Sequence, residues 1–349
     1  MKPNILYIAV LFLLSAVSCL RPAEREWSSE CRYAELFDIV TDSVSAKRSL
    51  VVFSPSGDSD TMVLDRPLGN IICMSSSHVA ALSAIGADHV ISAVSGLGYI
   101  SSPAVRSRCR DIGYEHSLDL EAVMQISPDL LVTYTVSGIE PPYIGKLRSM
   151  GVRVLVLNDH LEHHPLARAE YMRLFGALTG RLPQADSLFN IVCRRYEALR
   201  TESDPPVDVL LNIPYGDAWY VPGAESYMSV LVRDAGGRVL GASEGSSSGI
   251  ISLEDAYRLS QEAELWLNPG HCRTREALGK THPLFPSFGP LANGKPIYNN
   301  VSRVNSAGGN DFYESGAVRP DLVLEDLVRI FSHARGYASP DSLNYYIPL

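Results

Sequence analysis

The sequence is short of basic residues and contains no paired-cysteine motif. Lys and Arg total 30 against 39 Asp and Glu, which gives a formal net charge of −9. Proteins that bind nucleic acid present basic faces, so this balance argues against a nucleic-acid partner. The six cysteines are widely spaced and form no CxxC pair, so they indicate neither a zinc site nor a disulfide framework.

Beyond its first residues, the sequence also lacks an apolar run long enough to span a bilayer, which needs about 20 residues. Lys2, the apolar run Ile5–Leu14 and the small residues Ser15–Ser18 have the order of an export signal. Cys19 follows directly, and this arrangement resembles the lipobox of bacterial lipoproteins. We predict that residues 1–18 are a signal peptide and that Cys19 carries a lipid, which anchors the protein to a bacterial membrane on the periplasmic side.

Two series of strand-like apolar runs alternate with helical patterns along the rest of the chain. The first series has strand-like runs at Ile71–Ser75, His89–Val94, Leu130–Tyr134 and Val152–Asn158. The second series has them at Val207–Ile213, Arg238–Ala242, Leu265–Asn268 and Pro296–Asn299. This alternation is typical of βα units and parallel sheets. We predict an N-terminal tether and edge element at 19–67, with a strand at Leu50–Phe53, and two α/β lobes at 68–182 and 203–349.

A helix at 183–202 is predicted to link the lobes. Its apolar residues follow the i, i+3, i+4, i+7 spacing of an amphipathic helix, and Pro205 and Pro206 end it. About 20 residues at 1.5 Å each span roughly 30 Å, which is enough to reach from one lobe to the other. The predicted fold class is therefore α/β, with two parallel-sheet lobes bridged by one long helix.

Several segments resemble the periplasmic iron-chelate and cobalamin-binding proteins. The similar segments are Ile71–Gly86, Asp119–Val132 and Arg319–Leu322. In addition, Tyr298–Phe312 is similar to a segment of the substrate-binding lipoproteins of Bacteroidetes importers. The resemblance implies a ligand cleft between the lobes, and delivery of the ligand to an ABC permease and its ATPase. Family members often carry a docking glutamate on the first helix of each lobe. Ala80 and Val230 stand at the matching positions, so this pair is absent.

Residues that follow the predicted strands should face the cleft, because ligands of open α/β sheets lie beyond the carboxyl ends of the strands. Aromatic rings there suit a corrin, a porphyrin or a catecholate. Ser76, Ser77 and the loop at 305–312 follow strands as well. The predicted ligand-binding residues are Tyr99, Tyr134, Tyr215, Trp219, Tyr220, His271, Arg303, Asn310 and Phe312.

The expected ligand is a metal chelate: cobalamin, haem or a ferric siderophore. Arg303 is the one arginine that we place in the cleft, and this favours a neutral ligand such as a corrinoid over an anionic siderophore. We predict no catalytic residue, no resident cofactor and no metal site. His160, His163 and His164 form a tempting HxxHH group, but they lie in a polar turn and not on a rigid element.

The alternatives to a binding protein are an enzyme and a surface adhesin. An enzyme on the same scaffold, such as a chelatase or a hydrolase, needs a fixed nucleophile–base pair or metal set. The segment 245–249 fits GxSxG, but a strand-like run follows it, whereas a nucleophile elbow leads into a helix. A surface adhesin is disfavoured by the resemblance to importer components.

Overall fold

An antiparallel sheet precedes the first lobe. The computed structural model describes residues 27–349 apart from 56, 137 and 138, so Cys19 and residues 1–18 lie outside the described residues. The strands of this sheet, in spatial order, are β1 (Trp27–Ser29), β2 (Phe37–Asp42), β3 (Arg48–Phe53) and β4 (Ser59–Val63). The predicted strand at Leu50–Phe53 corresponds to β3, and the other three strands were not predicted. Only β2 and β3 bury alternate apolar side chains, so β1 and β4 carry little sequence signal.

The N-terminal lobe is built on a parallel sheet with the strand order β7-β6-β5-β8-β9. Its strands are β5 (Ile71–Cys73), β6 (Ile91–Val94), β7 (Arg110–Asp111), β8 (Leu130–Thr133) and β9 (Val154–Val156). Its helices are α1 (Ser76–Ala84), α2 (Pro103–Arg106), α3 (Leu120–Ile126) and α4 (Pro142–Ser149). Adjacent residues of a strand point to opposite faces of the sheet, and Ile71 and Ile72 pack into two separate groups of buried apolar side chains. Both faces of the sheet are therefore covered.

Two helices connect the lobes, α5 (Pro165–Thr179) and α6 (Leu182–Leu199). The predicted linking helix corresponds to α6. Near its start, the Arg181 guanidinium donates to the Ile85 carbonyl of the first lobe at 2.7 Å. Near its end, the Tyr196 hydroxyl donates to Asp234 of the second lobe at 2.7 Å. The helix α5 packs along α6 and is buried over most of its length, so the connection is a helical hairpin.

The C-terminal lobe has the strand order β12-β10-β14-β15-β16, in which β16 alone is antiparallel. The strands of this lobe are β10 (Val207–Leu211), β11 (Trp219–Val221), β12 (Gly237–Val239), β13 (Gly249–Ile251), β14 (Leu265–Leu267), β15 (Ile297–Asn299) and β16 (Ile347–Pro348). The strands β11 and β13 form a separate antiparallel ribbon. The helices are α7 (Tyr227–Asp234), α8 (Leu253–Glu262), α9 (Arg275–Thr281), α10 (Gly289–Ala292), α11 (Ser315–Val318) and α12 (Pro320–Ala334).

The predicted fold class is confirmed. Each predicted strand of the two series matches an observed strand to within a few residues, because these runs are short, apolar and buried. No helix of the described residues combines the length and the hydrophobicity that a bilayer crossing requires.

Candidate ligand cleft between the lobes

A buried cluster of charged and polar side chains lies where β9 and α1 meet α5. Asp159 follows β9, and its carboxylate lies 3.0 Å from the Arg168 guanidinium of α5. The Ser77 hydroxyl donates to the same carboxylate at 3.1 Å, and His78 Nε2 lies 3.4 Å from it without hydrogen-bond geometry. Burial alone would raise the Asp159 pKa, but the charge of Arg168 and the contact with His78 hold that pKa below its usual range.

Arg168 also contacts the second lobe. Its guanidinium lies 4.6 Å from the ring centroid of Tyr227, the first residue of α7. This distance is within the range of a cation–π interaction. Because Asp159 belongs to one lobe and Tyr227 to the other, Arg168 contacts both lobes.

On the first lobe, aromatic side chains follow β6 and β8. Tyr99 is 48% exposed, and its ring centroid lies 6.2 Å from that of Tyr114. Tyr114 in turn stacks on His116 at 6.1 Å. Tyr134 is half-buried and meets His160 edge-on at 6.0 Å, and burial raises the pKa of its hydroxyl. Tyr99 and Tyr134 thus keep part of their surface accessible, and their contact with a ligand stays a prediction.

The second lobe presents its aromatic residues on the β11–β13 ribbon and the turn before it. Tyr215 is 84% exposed, and Tyr220 lies opposite Ile250 in the ribbon, with both side chains directed outwards. His271 is exposed in the loop after β14. The side chains of Tyr215, Tyr220 and His271 are thus exposed, and their contact with a ligand stays a prediction.

Trp219 requires a correction, because it lies in the core. It is 1% exposed, and its indole N–H donates to the Leu211 carbonyl at 2.9 Å. Its ring stacks with those of Trp266 and Phe288. In a strand, neighbouring side chains point to opposite faces, so the outward direction of Tyr220 sends Trp219 inwards. Trp219 therefore supports the ribbon and presents no face to a ligand.

Three residues of the loop before α11 have structural partners. Phe312 is 5% exposed and packs against Tyr345 and Tyr346, so its predicted ligand contact is also corrected. Arg303 pairs with Asp311 at 3.2 Å and lies over the ring of Tyr345. The Asn310 side chain accepts a hydrogen bond from the Phe312 N–H at 3.1 Å, which orders the loop locally.

The three histidines of the HxxHH group have separate surroundings. His164 caps α5, with its Nδ1 accepting from the Leu166 N–H at 3.0 Å, and His163 lies 3.4 Å from Glu35. His160 lies beside Tyr134. Among the described residues, no group of three or more His, Cys, Asp or Glu is arranged to hold a metal ion.

Sequence reasoning missed two tyrosines of the second lobe. Tyr227 contacts Arg168, and Tyr313 is 54% exposed with its hydroxyl 3.4 Å from the Asn300 amide. A signal for Tyr227 was present, because the segment that begins at Ser226 resembles the one that begins at Ser76 in the first lobe. In that comparison Tyr227 stands where Ser77 stands in the first lobe.

A model of the periplasmic binding protein family matches residues 71–281, which include most of the first lobe, the connecting helices and the first part of the second lobe. The chain belongs to this family. The resemblance stated from the sequence is thus confirmed.

Several individual proteins are similar to this family member. An uncharacterised lipoprotein of Methanocaldococcus jannaschii is 24% identical over 291 residues, which cover 77% of this chain and 66% of that protein. The chain therefore spans slightly less than two thirds of the length of this relative. Among solved structures, the periplasmic heme-binding protein HutB of Vibrio cholerae has a TM-score of 0.56 at 19% identity, covering 73% of this chain and 98% of its own.

Two further solved structures share the fold. The periplasmic vitamin B12 binding protein BtuF of Vibrio cholerae has a TM-score of 0.57 at 14% identity, covering 78% of this chain and 99% of its own. The periplasmic heme-binding protein RhuT of Roseiflexus sp. RS-1 has a TM-score of 0.58 at 20% identity, covering 76% and 99%.

Proposed function

We propose that this periplasmic binding protein is the substrate-binding lipoprotein of an ABC importer. It captures a metal chelate between its lobes and delivers it to the permease, with no covalent chemistry. The observation that carries the proposal is that both lobes present tyrosines in segments that follow their strands. Tyr99 and the half-buried Tyr134 do so on the first lobe, and the exposed Tyr215 and Tyr220 do so on the second. The fold shared with heme-binding and vitamin B12-binding proteins supports the same class of ligand.

The charges around the cleft favour a neutral or weakly charged chelate. Arg168 is enclosed and pairs with Asp159, and Arg303 pairs with Asp311. An anionic siderophore would have to displace one of these carboxylates to gain a charge-assisted contact. A corrinoid or a haem gains instead from flat contact with tyrosine rings, each of which also offers a hydroxyl.

The test is a titration of the purified mature chain with cyanocobalamin, haemin, and one neutral and one anionic ferric siderophore. We expect a dissociation constant of about micromolar or tighter for a corrinoid or haem, followed by calorimetry and by the visible spectrum. Tightest binding of the anionic siderophore would contradict the charge argument. Absence of binding by all four compounds would contradict the proposal itself.

We infer that the permease contact uses other residues than Ala80 and Val230. Ala80 and Val230, where the sequence analysis sought docking glutamates, are each 5% exposed, so a side chain there faces the interior. Helices of parallel βα units run against their strands, so they begin at the edge of the sheet where the strands end. The helices α3 and α8 begin in this way, and each carries an exposed glutamate as its second residue, Glu121 and Glu254. We propose this pair as the contact with basic residues of the permease.

The proposed anchor is a lipid on Cys19, and the similarity to an archaeal lipoprotein supports it. The expected result is that Cys19→Ala releases the protein from membranes in cell fractionation. Unchanged membrane association would contradict the lipid anchor and leave the ligand proposal standing. Nothing in the described residues favours the enzyme alternative.

A further inference from the structure

The loop between β15 and α11 crosses from the second lobe to the first. The Asn305 side-chain amide donates to the Gly98 carbonyl at 3.0 Å. Gly309 lies so close to the first lobe that a Cβ atom there would be 2.1 Å from the Tyr99 carbonyl oxygen. The two backbones can therefore meet only because residue 309 has no side chain. We call residues 305–314 the strap.

The strap ends in a buried carboxylate that is bonded to the other lobe. Glu314 is 4% exposed, and its Oε2 accepts a hydrogen bond from the Ser101 N–H at 2.7 Å. These residues are 213 positions apart in sequence and belong to different lobes. Separation of the lobes on this side would break the hydrogen bond between the Ser101 N–H and the Glu314 carboxyl group. Both groups would then be exposed to water.

The charged groups around Glu314 do not neutralise it. Asp311 lies on the strap itself and is paired with Arg303 at 3.2 Å, and Asp88 of the first lobe accepts a hydrogen bond from the Ser102 hydroxyl at 3.3 Å. Arg319 lines the same cavity of about 460 Å³ as Glu314, but its guanidinium is bound to Asp321 at 2.7 Å. A charged Glu314 is therefore buried beside other acidic groups.

We propose that the strap is a proton-sensitive latch between the lobes, closed by Asn305, Gly309 and Glu314 and opened when Glu314 leaves Ser101. The latch would limit how far the lobes separate to admit or release a ligand. It would act on lobe opening whatever the ligand is, so it does not depend on the proposed chelate.

The direction of the pH effect follows from the burial of Glu314. Burial, and then the charge of Asp311, raises the Glu314 pKa to about 7 in the latched state. In the open state the carboxyl group is in water, where a glutamate has a pKa of about 4.3. The latched state thus binds the proton more tightly, and it is favoured as pH falls through 7. Between these two pKa values, the ratio of latched to open molecules should rise by up to about tenfold for each unit of decrease in pH.

The experiment measures hydrogen exchange of the Ser101 amide in the ligand-free protein at several pH values between 5 and 8. Protection is calculated against an unstructured reference, which removes the intrinsic pH dependence of exchange. In the wild-type protein, we expect protection to fall as pH rises towards 7. The Glu314→Gln variant keeps a hydrogen-bond acceptor that does not titrate. The protection of the Ser101 amide in this variant should therefore not depend on pH. Gly309→Ala inserts a methyl group against Tyr99, so its protection should be low throughout.

Two controls separate latch opening from unfolding. Gly145→Ala adds a methyl group in α4 where nothing lies within 4 Å, and it should behave as the wild type. The Leu131 amide, bonded to the Arg153 carbonyl at 2.9 Å, should keep its protection in each variant. A lower Leu131 protection in Gly309→Ala would mean that this variant unfolds. In that case Asn305→Ala, which removes the hydrogen bond to Gly98 without a steric clash, should also lower the protection of the Ser101 amide. Unchanged Ser101 protection in Asn305→Ala and Gly309→Ala, or a pH dependence that persists in Glu314→Gln, would overturn the proposal.

Discussion

The guanidinium of Arg168 lies 3.0 Å from the carboxylate of Asp159, and the two side chains are only 10% and 6% exposed. A pair of this kind ties α5 to the end of β9, while the same guanidinium rests on Tyr227 of the other lobe. The charges of Arg168 and Asp159, which connect the two lobes, are thus enclosed. They pair with each other, so they do not bind an anionic ligand from solution.

Removing the carboxylate of this pair should destabilise the protein strongly. Asp159→Asn leaves Arg168 charged and buried without its partner, which typically costs about 3–5 kcal/mol in the free energy of unfolding. Urea denaturation measures the loss. The control is Glu140→Gln, which breaks the exposed pair with Arg148 and should cost less than about 1 kcal/mol. Equal losses in the two variants would show that the buried pair has no special role.

Replacement by alanine should affect stability at Trp219 and ligand affinity at Tyr215. Trp219→Ala empties a core position and should lower the free energy of unfolding by about 3–5 kcal/mol. Tyr215→Ala changes an exposed side chain and should leave stability within about 0.5 kcal/mol. If Tyr215 stacks on the chelate, its loss should weaken binding by about 1–3 kcal/mol, or roughly five- to a hundred-fold.

Thermal unfolding and calorimetric titration of the same samples separate the effects of these two substitutions. Tyr337→Ala, at a position 69% exposed, is the matched control and should change neither quantity. A Tyr215→Ala variant with wild-type affinity would remove Tyr215 from the site, and an unchanged stability of Trp219→Ala would contradict its burial.

Glu170 should hold the N-terminal sheet to the connecting helices. Its carboxylate is completely buried and accepts hydrogen bonds from the N–H groups of Arg32, Tyr33 and Ala34 at 2.7–3.1 Å. It also pairs with Arg173 at 2.9 Å. Glu170→Ala leaves these donors without a buried partner, and we expect a loss of at least about 3 kcal/mol in stability.

Limited proteolysis gives a second measure of the Glu170 contact. Cleavage within residues 27–63 should become faster in Glu170→Ala, whereas Glu197→Gln, which affects an exposed pair with Arg200, should keep the wild-type rate. Equal cleavage rates would show that the N-terminal sheet is held by other contacts.

Reversing the charge of the proposed docking glutamates should impair transport and spare ligand binding. Glu121→Lys and Glu254→Lys place positive charges where basic residues of the permease are expected, and like charges across an interface are repulsive. Uptake of the chelate by cells should fall several-fold, while calorimetry shows an unchanged affinity. Glu197→Lys, on the linking helix, is the control. Normal uptake by the double variant would place the permease contact elsewhere.

The alternation of strands and helices could be predicted from local patterns in the sequence. The apolar runs of the two sheets are buried on both faces, so each predicted strand overlaps an observed one, as Leu130–Tyr134 does with Leu130–Thr133. The amphipathic spacing predicted a helix at 183–202, and α6 spans Leu182–Leu199, so the start agrees to one residue and the observed end comes three residues earlier. These features are local, because a run of apolar residues or a helical period is visible without knowledge of its neighbours.

Which side chains are buried and which are exposed could not be predicted from local patterns, because it depends on how distant segments pack. Trp219 and Tyr220 are adjacent aromatics, and the sequence does not tell which face of their ribbon meets the core. Along α5, Arg168, Glu170 and Arg173 are typical of an exposed surface, yet all three are buried because distant carboxylates, backbone N–H groups and Tyr227 surround them. Glu314 likewise gains its partner, Ser101, only when the two lobes come together. Such partners are set by packing between segments far apart in the chain, which a local sequence pattern does not encode.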